Sequence, residues 1–107
     1  MFAVAKLAKS KQITTAIDNT CATPIVQKPI ILGIDIVIHS ATKYFGGHSD
    51  ISAGALAAKQ EHIDTVWNLG KNLGGNLSDF MVWMLERSMK TLSVRVKAQQ
   101  KNAKKLA

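Results

Sequence analysis

Residues 36–50 have the sequence Ile36-Val37-Ile38-His39-Ser40-Ala41-Thr42-Lys43-Tyr44-Phe45-Gly46-Gly47-His48-Ser49-Asp50. The apolar, β-branched run at its start is typical of a buried strand. The hydroxyl residues Ser40 and Thr42 follow this run, and then come Lys43 and a pair of glycines. Small hydroxyl side chains donate hydrogen bonds to a phosphate without filling the space that it needs. The stretch therefore predicts a buried strand that ends in a polar segment suited to a phosphate.

The lysine of this stretch allows two interpretations. An ammonium group at the end of a buried strand is costly unless it is solvated, paired or used covalently. Desolvation lowers the pKa of a lysine and makes it a Schiff-base nucleophile. Alternatively, Lys43 extends along the surface to reach water, and Gly46-Gly47 marks an ordinary turn. The motif by itself leaves both interpretations open.

A second polar group follows another predicted strand. Residues 12–17 are predicted to form a short strand, and Asp18-Asn19-Thr20 come at its end. If the two strands are parallel, Asp18 and Lys43 lie at the same carboxyl edge, where open α/β sheets bind ligands. A site for pyridoxal phosphate needs a lysine for the imine and a carboxylate that keeps the pyridine nitrogen protonated. The pair predicts such a site, although Asp18 alone could equally cap a turn.

Three segments together resemble the Cys/Met-metabolism family of pyridoxal-phosphate enzymes. They are Asp18-Asn19-Thr20, Ser40–Tyr44 and Gly47–Asp50, and the resemblance runs over essentially the whole chain. The family includes cystathionine γ-synthase, the cystathionine lyases, methionine γ-lyase and the O-acylhomoserine sulfhydrylases. The resemblance implies an α/β fold, as an internal fragment of an aspartate aminotransferase-type large domain with about three strands and flanking helices. Residues 1–92 are then the central part of that domain, and 93–107 begin the helix that leads to a C-terminal domain.

The resemblance also implies roles for individual residues. Lys43 holds pyridoxal phosphate as a Schiff base and acts as a local base once it is freed. Asp18 bonds the pyridine nitrogen, while Ser40 and Thr42 bind the phosphate from one side of an extended backbone. Thr20 is expected near the face of the ring. The implied substrate is a sulfur-containing amino acid, and the implied assembly is a homotetramer; a catalytically inactive fold fragment stays as an alternative.

The net charge of +7 is concentrated at the C-terminal end. Seven basic and seven acidic residues occur up to Glu86, whereas residues 87–107 contain seven basic residues and no acid. A basic helix can bind nucleic acid or a membrane surface. This one has no interleaved aromatic residues, which favours a solvated helix face or pairing with acids outside the chain. Neither nucleic acid nor membrane is therefore expected as a partner.

Composition narrows the remaining possibilities. A chain of 107 residues can bury roughly two thirds of its unfolded surface. The single cysteine, Cys21, excludes an intrachain disulfide and favours a reducing, cytoplasmic location. The histidines at positions 39, 48 and 62 have no metal-ligand spacing with it, so no metal is expected. No apolar run approaches the roughly 20 residues of a membrane span.

Hydrophobic periodicity and turn residues predict the remaining elements. Helices are expected at 2–10, 60–70, 80–89 and 93–106, and strands at 12–17, 35–39 and 51–58. A proline-punctuated loop is expected from 23 to 29, followed by a brief apolar turn at 30–33. Strands that alternate with helices indicate an α/β architecture. At least one edge of so small a sheet is expected to be unpaired.

Overall fold

A computed structural model describes all 107 residues and contains a three-stranded mixed sheet in the order β1-β2-β3. The strands are β1 (Ala16–Asp18), β2 (Ile36–Ser40) and β3 (Gly54–Ala58). β1 pairs with β2 in parallel, with Asp18 opposite Ile38, and β2 pairs with β3 in antiparallel fashion. The predicted α/β class with three strands is confirmed, and the outer edges of β1 and β3 are both unpaired.

Five α-helices and one short 3₁₀ helix flank the sheet. They are α1 (Phe2–Ser10), α2 (Thr23–Val26), the 3₁₀ helix (Pro29–Leu32), α3 (Gln60–Leu73), α4 (Asp79–Met89) and α5 (Leu92–Leu106). The predicted N-cap of α4 is present, because the Ser78 hydroxyl accepts the Met81 amide proton at 3.4 Å. α3 continues past the predicted stop at Gly70 and ends at Gly74, which has a left-handed φ of +72°. No helix is both long enough and apolar enough to cross a membrane.

The segment between residues 23 and 33 contains the predicted apolar turn at 30–33, but the loop predicted around the prolines before it is wrong. It contains α2 and the 3₁₀ helix, each with a proline in its first turn, where the missing amide proton costs nothing. Thr23 precedes Pro24 and has a φ of +59°, so the residue before proline stays outside the right-handed helical region. Thr23 therefore follows the rule that the residue before a proline avoids the right-handed helical region, although the turn after it is helical.

The outer strands are shorter than predicted because side chains take over part of their pairing. At the start of β1, the Thr15 amide and hydroxyl donate to the Asp35 carboxylate at 2.8 and 2.7 Å. Before β3, the Ala53 amide donates to the Thr42 hydroxyl at 2.9 Å and the Ala53 carbonyl accepts from the Thr42 amide at 3.2 Å. No helix separates β2 from β3, in agreement with the predicted order of the elements.

The core consists of two small apolar clusters. One contains Ala5, Ile34 and Val37 and joins α1 to β2. The other joins the segment after β2 to α5, and its members are Ala41, Phe45, Leu92 and Val96. Only 14 of the 107 residues are buried, and the molecule is 17 Å across in its shortest dimension. Ile38, in the middle of β2, is 42% exposed, so one face of the sheet is open.

Candidate functional site

Residues 41–47 form a compact turn after β2, here called the lysine turn. The Lys43 amide donates to the Ser40 carbonyl at 3.1 Å, and the Lys43 carbonyl accepts from the Gly47 amide at 2.7 Å. Gly47 has a φ of +79°, which favours glycine. The Lys43 side chain is exposed and has no acidic partner within salt-bridge distance. Because the backbone turns after Ser40, the predicted alignment of Ser40 with Thr42 along an extended chain is wrong.

Asp18 lies at the same edge of the sheet as the lysine turn. It is the last residue of β1, and the parallel pairing with β2 directs the carboxyl ends of both strands to one side. The hydroxyl and the amide of Thr20 donate to Asp18 Oδ1, the amide at 2.9 Å. These bonds stabilise the ionised form, the hydroxyl most, and lower the pKa of Asp18. Asp18 is thus an exposed, fixed carboxylate beside the end of β2.

Thr20 joins the aspartate segment to the lysine segment, which sequence reasoning did not predict. Its Oγ1 donates to Asp18 and accepts the amide proton of Ser40 at 2.7 Å. One side chain therefore adds a link between the ends of β1 and β2 to the backbone bond from the Asn19 amide to the Ile38 carbonyl. The close spacing of an aspartate and a threonine two residues later is typical of an Asx-type turn and was the available signal.

The two predicted phosphate-binding hydroxyls differ in their surroundings. The Ser40 hydroxyl is half-buried and makes no hydrogen bond within the chain. The Thr42 hydroxyl accepts from Ala53, and its own proton has only the Ala53 carbonyl at 3.4 Å as an acceptor. That distance is long for an O–H donor. Both hydroxyl protons are therefore available to an anion, so these residues fit a phosphate group.

His39 supports the lysine turn from the buried side of β2. It is 6% exposed, and its ring stacks on Phe45 with the centroids 4.6 Å apart. Nδ1 is buried without a hydrogen-bond partner. Burial lowers the pKa of His39, and the carboxylate of Asp18 opposes this shift. The ring is therefore neutral near pH 7 and serves as packing; its place on the same strand face as Val37 was the signal for burial.

A cavity of about 870 Å³ lies at the opposite edge of the sheet. Thr14, Asp35 and Ala58 line it, and these residues stand before β1, before β2 and at the end of the antiparallel β3. It contains neither Asp18 nor Lys43, and three exposed lysines stand at its wall. No group of three or more histidine, cysteine or acidic side chains is arranged to hold a metal ion. The chemistry at the carboxyl edge, and not the cavity volume, identifies the candidate site.

A carboxylate and a lysine at the ends of neighbouring parallel strands are typical of enzymes that bind pyridoxal phosphate. The model of one such family, described as Cys/Met metabolism PLP-dependent enzyme, matches residues 1–107. The chain belongs to this family. The resemblance stated from the motifs is thereby confirmed.

Individual relatives agree with this assignment. The chain is 44% identical over 105 residues to a cystathionine gamma-synthase/O-acetylhomoserine (thiol)-lyase of Bacillus subtilis, and 45% identical to a cystathionine gamma-synthase of Haemophilus influenzae. A crystal structure of cystathionine gamma-lyase from Lactobacillus plantarum, complexed with L-serine, superposes with a TM-score of 0.93 at 43% identity. The alignments cover 97% or 98% of this chain and 28% of each of these relatives.

Proposed function

We propose that this chain forms the cofactor-holding part of a pyridoxal-phosphate enzyme that makes or breaks the C–S bond of an amino acid. Membership of the family supports the cofactor class, and the relatives named above support the substrate class. The observation that carries the proposal is the common edge of Asp18 and Lys43 at the ends of the parallel strands β1 and β2.

Four residues are proposed to hold the cofactor. Lys43 would bind it covalently through Nζ, which is exposed and unpaired. Asp18 would hold a proton on the ring nitrogen, and its lowered pKa keeps it ionised for that purpose. The free hydroxyl proton of Ser40 and the weakly bonded one of Thr42 would contact the phosphate. The bound group supplies an electron sink for the carbanion that forms at the substrate Cα.

Lys43 is also proposed as the residue that moves protons. The Lys43 amine belongs to a turn that is anchored at both sides. It can therefore take a proton from the substrate Cα and return it to a neighbouring atom. Removal of a Cβ proton by the same amine would let a γ-substituent leave. Relatives with 42–45% identity carry the names synthase, thiol-lyase and beta-lyase, so the proposal extends to the bond type and not to one reaction.

The proposed assembly and location follow the family and the single thiol. We propose that residues 1–92 belong to the large domain and that 93–107 lead towards a further domain, in a homotetramer. α5 begins at Leu92, and its first two turns pack on the lysine turn. The exposed, unpaired Cys21 supports a reducing, cytoplasmic compartment.

Trapping of the cofactor tests the proposal. The chain is incubated with pyridoxal phosphate, reduced with borohydride to make the C–N bond permanent, digested and mapped by mass spectrometry. The label is expected on the peptide that contains Lys43, with less label in Asp18→Asn. Asp64→Asn, at an exposed position of α3, is the matched control and should label as the wild type does.

The distribution of label decides between cofactor binding and an inert fold. Label scattered over surface lysines in the folded wild-type chain would contradict the proposal. Equal labelling of Lys43 in Asp18→Asn and Asp64→Asn would remove Asp18 from the site and leave Lys43 in it.

A further inference from the structure

Arg95, on α5, is bound to the backbone of the lysine turn. Its Nη1 donates to the Tyr44 carbonyl at 2.7 Å and its Nη2 to the Phe45 carbonyl at 3.1 Å. These two residues directly follow Lys43. Arg95 is half-buried, so this member of the basic C-terminal helix is not part of a solvated face.

The same guanidinium is also fixed to the end of α4. Nη2 donates to the Ser88 carbonyl at 3.0 Å, and Nε donates to the Thr91 hydroxyl at 3.0 Å. All three nitrogens of Arg95 thus have acceptors, and none of these acceptors is a carboxylate. A planar fork with several donors can bridge backbone segments in a way that the single ammonium of a lysine cannot.

Gly47 leaves the room that this arrangement needs. A Cβ atom at position 47 would overlap the Arg95 guanidinium, and the positive φ disfavours any side chain there in addition. Gly47, the second glycine of the motif, is therefore required by packing as well as by the turn. It lets the arginine reach the carbonyls that follow Lys43.

We propose that Arg95 is a positioning residue for Lys43, and that it fixes the lysine turn against the junction between α4 and α5. The consequence for Lys43 rests on the proposed function. The bracing of the turn does not, because it depends only on the contacts of Arg95. Loss of the guanidinium should loosen the turn while the sheet stays intact, since β1 and β2 share no bond with Arg95.

Amide hydrogen exchange measured by NMR on the 107-residue chain tests the bracing without any cofactor. The reporters are Gly46 and Gly47, whose amides bond to the Ala41 and Lys43 carbonyls inside the turn. In Arg95→Met their exchange should accelerate about tenfold, because hydrogen bonds from a charged group hold the turn closed. The amide of Asn19, bonded to Ile38 across the sheet, should exchange as in the wild type.

Two further variants separate bracing from charge. Arg87→Met removes an exposed arginine of α4 and should leave Gly46 and Gly47 unchanged. Arg95→Lys keeps the charge but not the fork and should recover only part of the protection. If Gly46 and Gly47 exchange equally in Arg95→Met and Arg87→Met, the proposal is overturned.

The proposal stays testable even if Arg95→Met unfolds. If every amide of Arg95→Met accelerates together, Thr91→Val is measured instead, because it removes the acceptor of Nε together with the bond from the Thr91 hydroxyl to the Ser88 carbonyl. Faster exchange confined to the turn supports the bracing, and unchanged exchange overturns it. Trapping with pyridoxal phosphate adds a second readout. In folded Arg95→Met the label should be less selective for Lys43 than in the wild type. If the wild-type chain itself carries the label on other lysines, the result contradicts the proposed function and not the bracing of the turn.

Discussion

The Thr20 hydroxyl accepts a hydrogen bond from the Ser40 amide at 2.7 Å and donates one to the Asp18 carboxylate. This bond joins the ends of two parallel strands that are 20 residues apart in sequence. Together with the backbone bond from the Asn19 amide to the Ile38 carbonyl, it holds the carboxylate beside the start of the lysine turn.

Removal of that hydroxyl should affect both strand ends. Thr20→Val leaves the half-buried Ser40 amide without an acceptor, which should lower the free energy of unfolding by about 1–3 kcal/mol. The pKa of Asp18 should rise towards its ordinary value, because its main stabilising donor is lost. Urea unfolding and NMR titration of the carboxyl carbon measure the two effects.

Thr14→Val is the matched control, because Thr14 is exposed and makes no side-chain hydrogen bond. It should leave both quantities close to the wild-type values. If the pKa of Asp18 does not change in Thr20→Val, a group other than the Thr20 hydroxyl stabilises the ionised carboxylate.

Two glycines should respond to alanine in opposite directions. Gly33 has a φ of +92°, and a Cβ there would lie 3.3 Å from the Cβ of Ala5. Gly33→Ala should therefore lower the free energy of unfolding by about 1–2 kcal/mol. Gly54, in β3, has open space at the Cβ position, and Gly54→Ala should raise stability by about 0.4–1 kcal/mol. Thermal unfolding of both variants measures the contrast, and effects of the same sign would be evidence against the close packing of Gly33 on α1.

The burial of His39 should make stability depend on pH just below neutrality. Its folded-state pKa is lowered from 6.5, so the unfolded chain takes up a proton first as the pH falls through 6.5. Stability should decline from that pH downwards until the folded-state pKa is reached. In His39→Leu the free energy of unfolding should decline less over this range. Urea unfolding between about pH 7.5 and pH 5.5 measures the difference.

His48→Leu, at an exposed position of the loop after the lysine turn, is the comparison for His39→Leu. It should keep the wild-type decline. If the free energy of unfolding depends on pH in the same way in the wild type and in His39→Leu, the buried ring does not cause that dependence.

Local patterns predicted the elements that depend on short-range chemistry. The β-branched run before Ser40 and the serine cap of α4 depend on neighbours in sequence, and both are present. The parallel pairing of β1 with β2 was the condition for a shared edge of Asp18 and Lys43, and the structure fulfils it. The direction of β3 was not, because it depends on how the lysine turn reverses the chain.

Long-range contacts explain what the sequence could not indicate. Arg95 reaches the lysine turn across about 50 residues. It is the only arginine among the lysines of α5, but the sequence does not indicate which backbone carbonyls it contacts. The link from Thr20 to Ser40 likewise needs the strand pairing to be known first. The prolines at positions 24 and 29 predicted a loop, although proline is also favourable in the first turn of a helix.

The most direct test compares the trapped pyridoxyl label on each of the twelve lysines in the native chain and in the chain unfolded by urea. In the native chain the Lys43 peptide should carry most of the label, because Asp18, Ser40 and Thr42 are proposed to hold the cofactor beside that amine. In urea its share should fall to about one in twelve, as expected when all lysines of an unfolded chain react alike. An equal share for Lys43 in both states would show that the fold gives this lysine no preference and would contradict its assignment as the cofactor lysine.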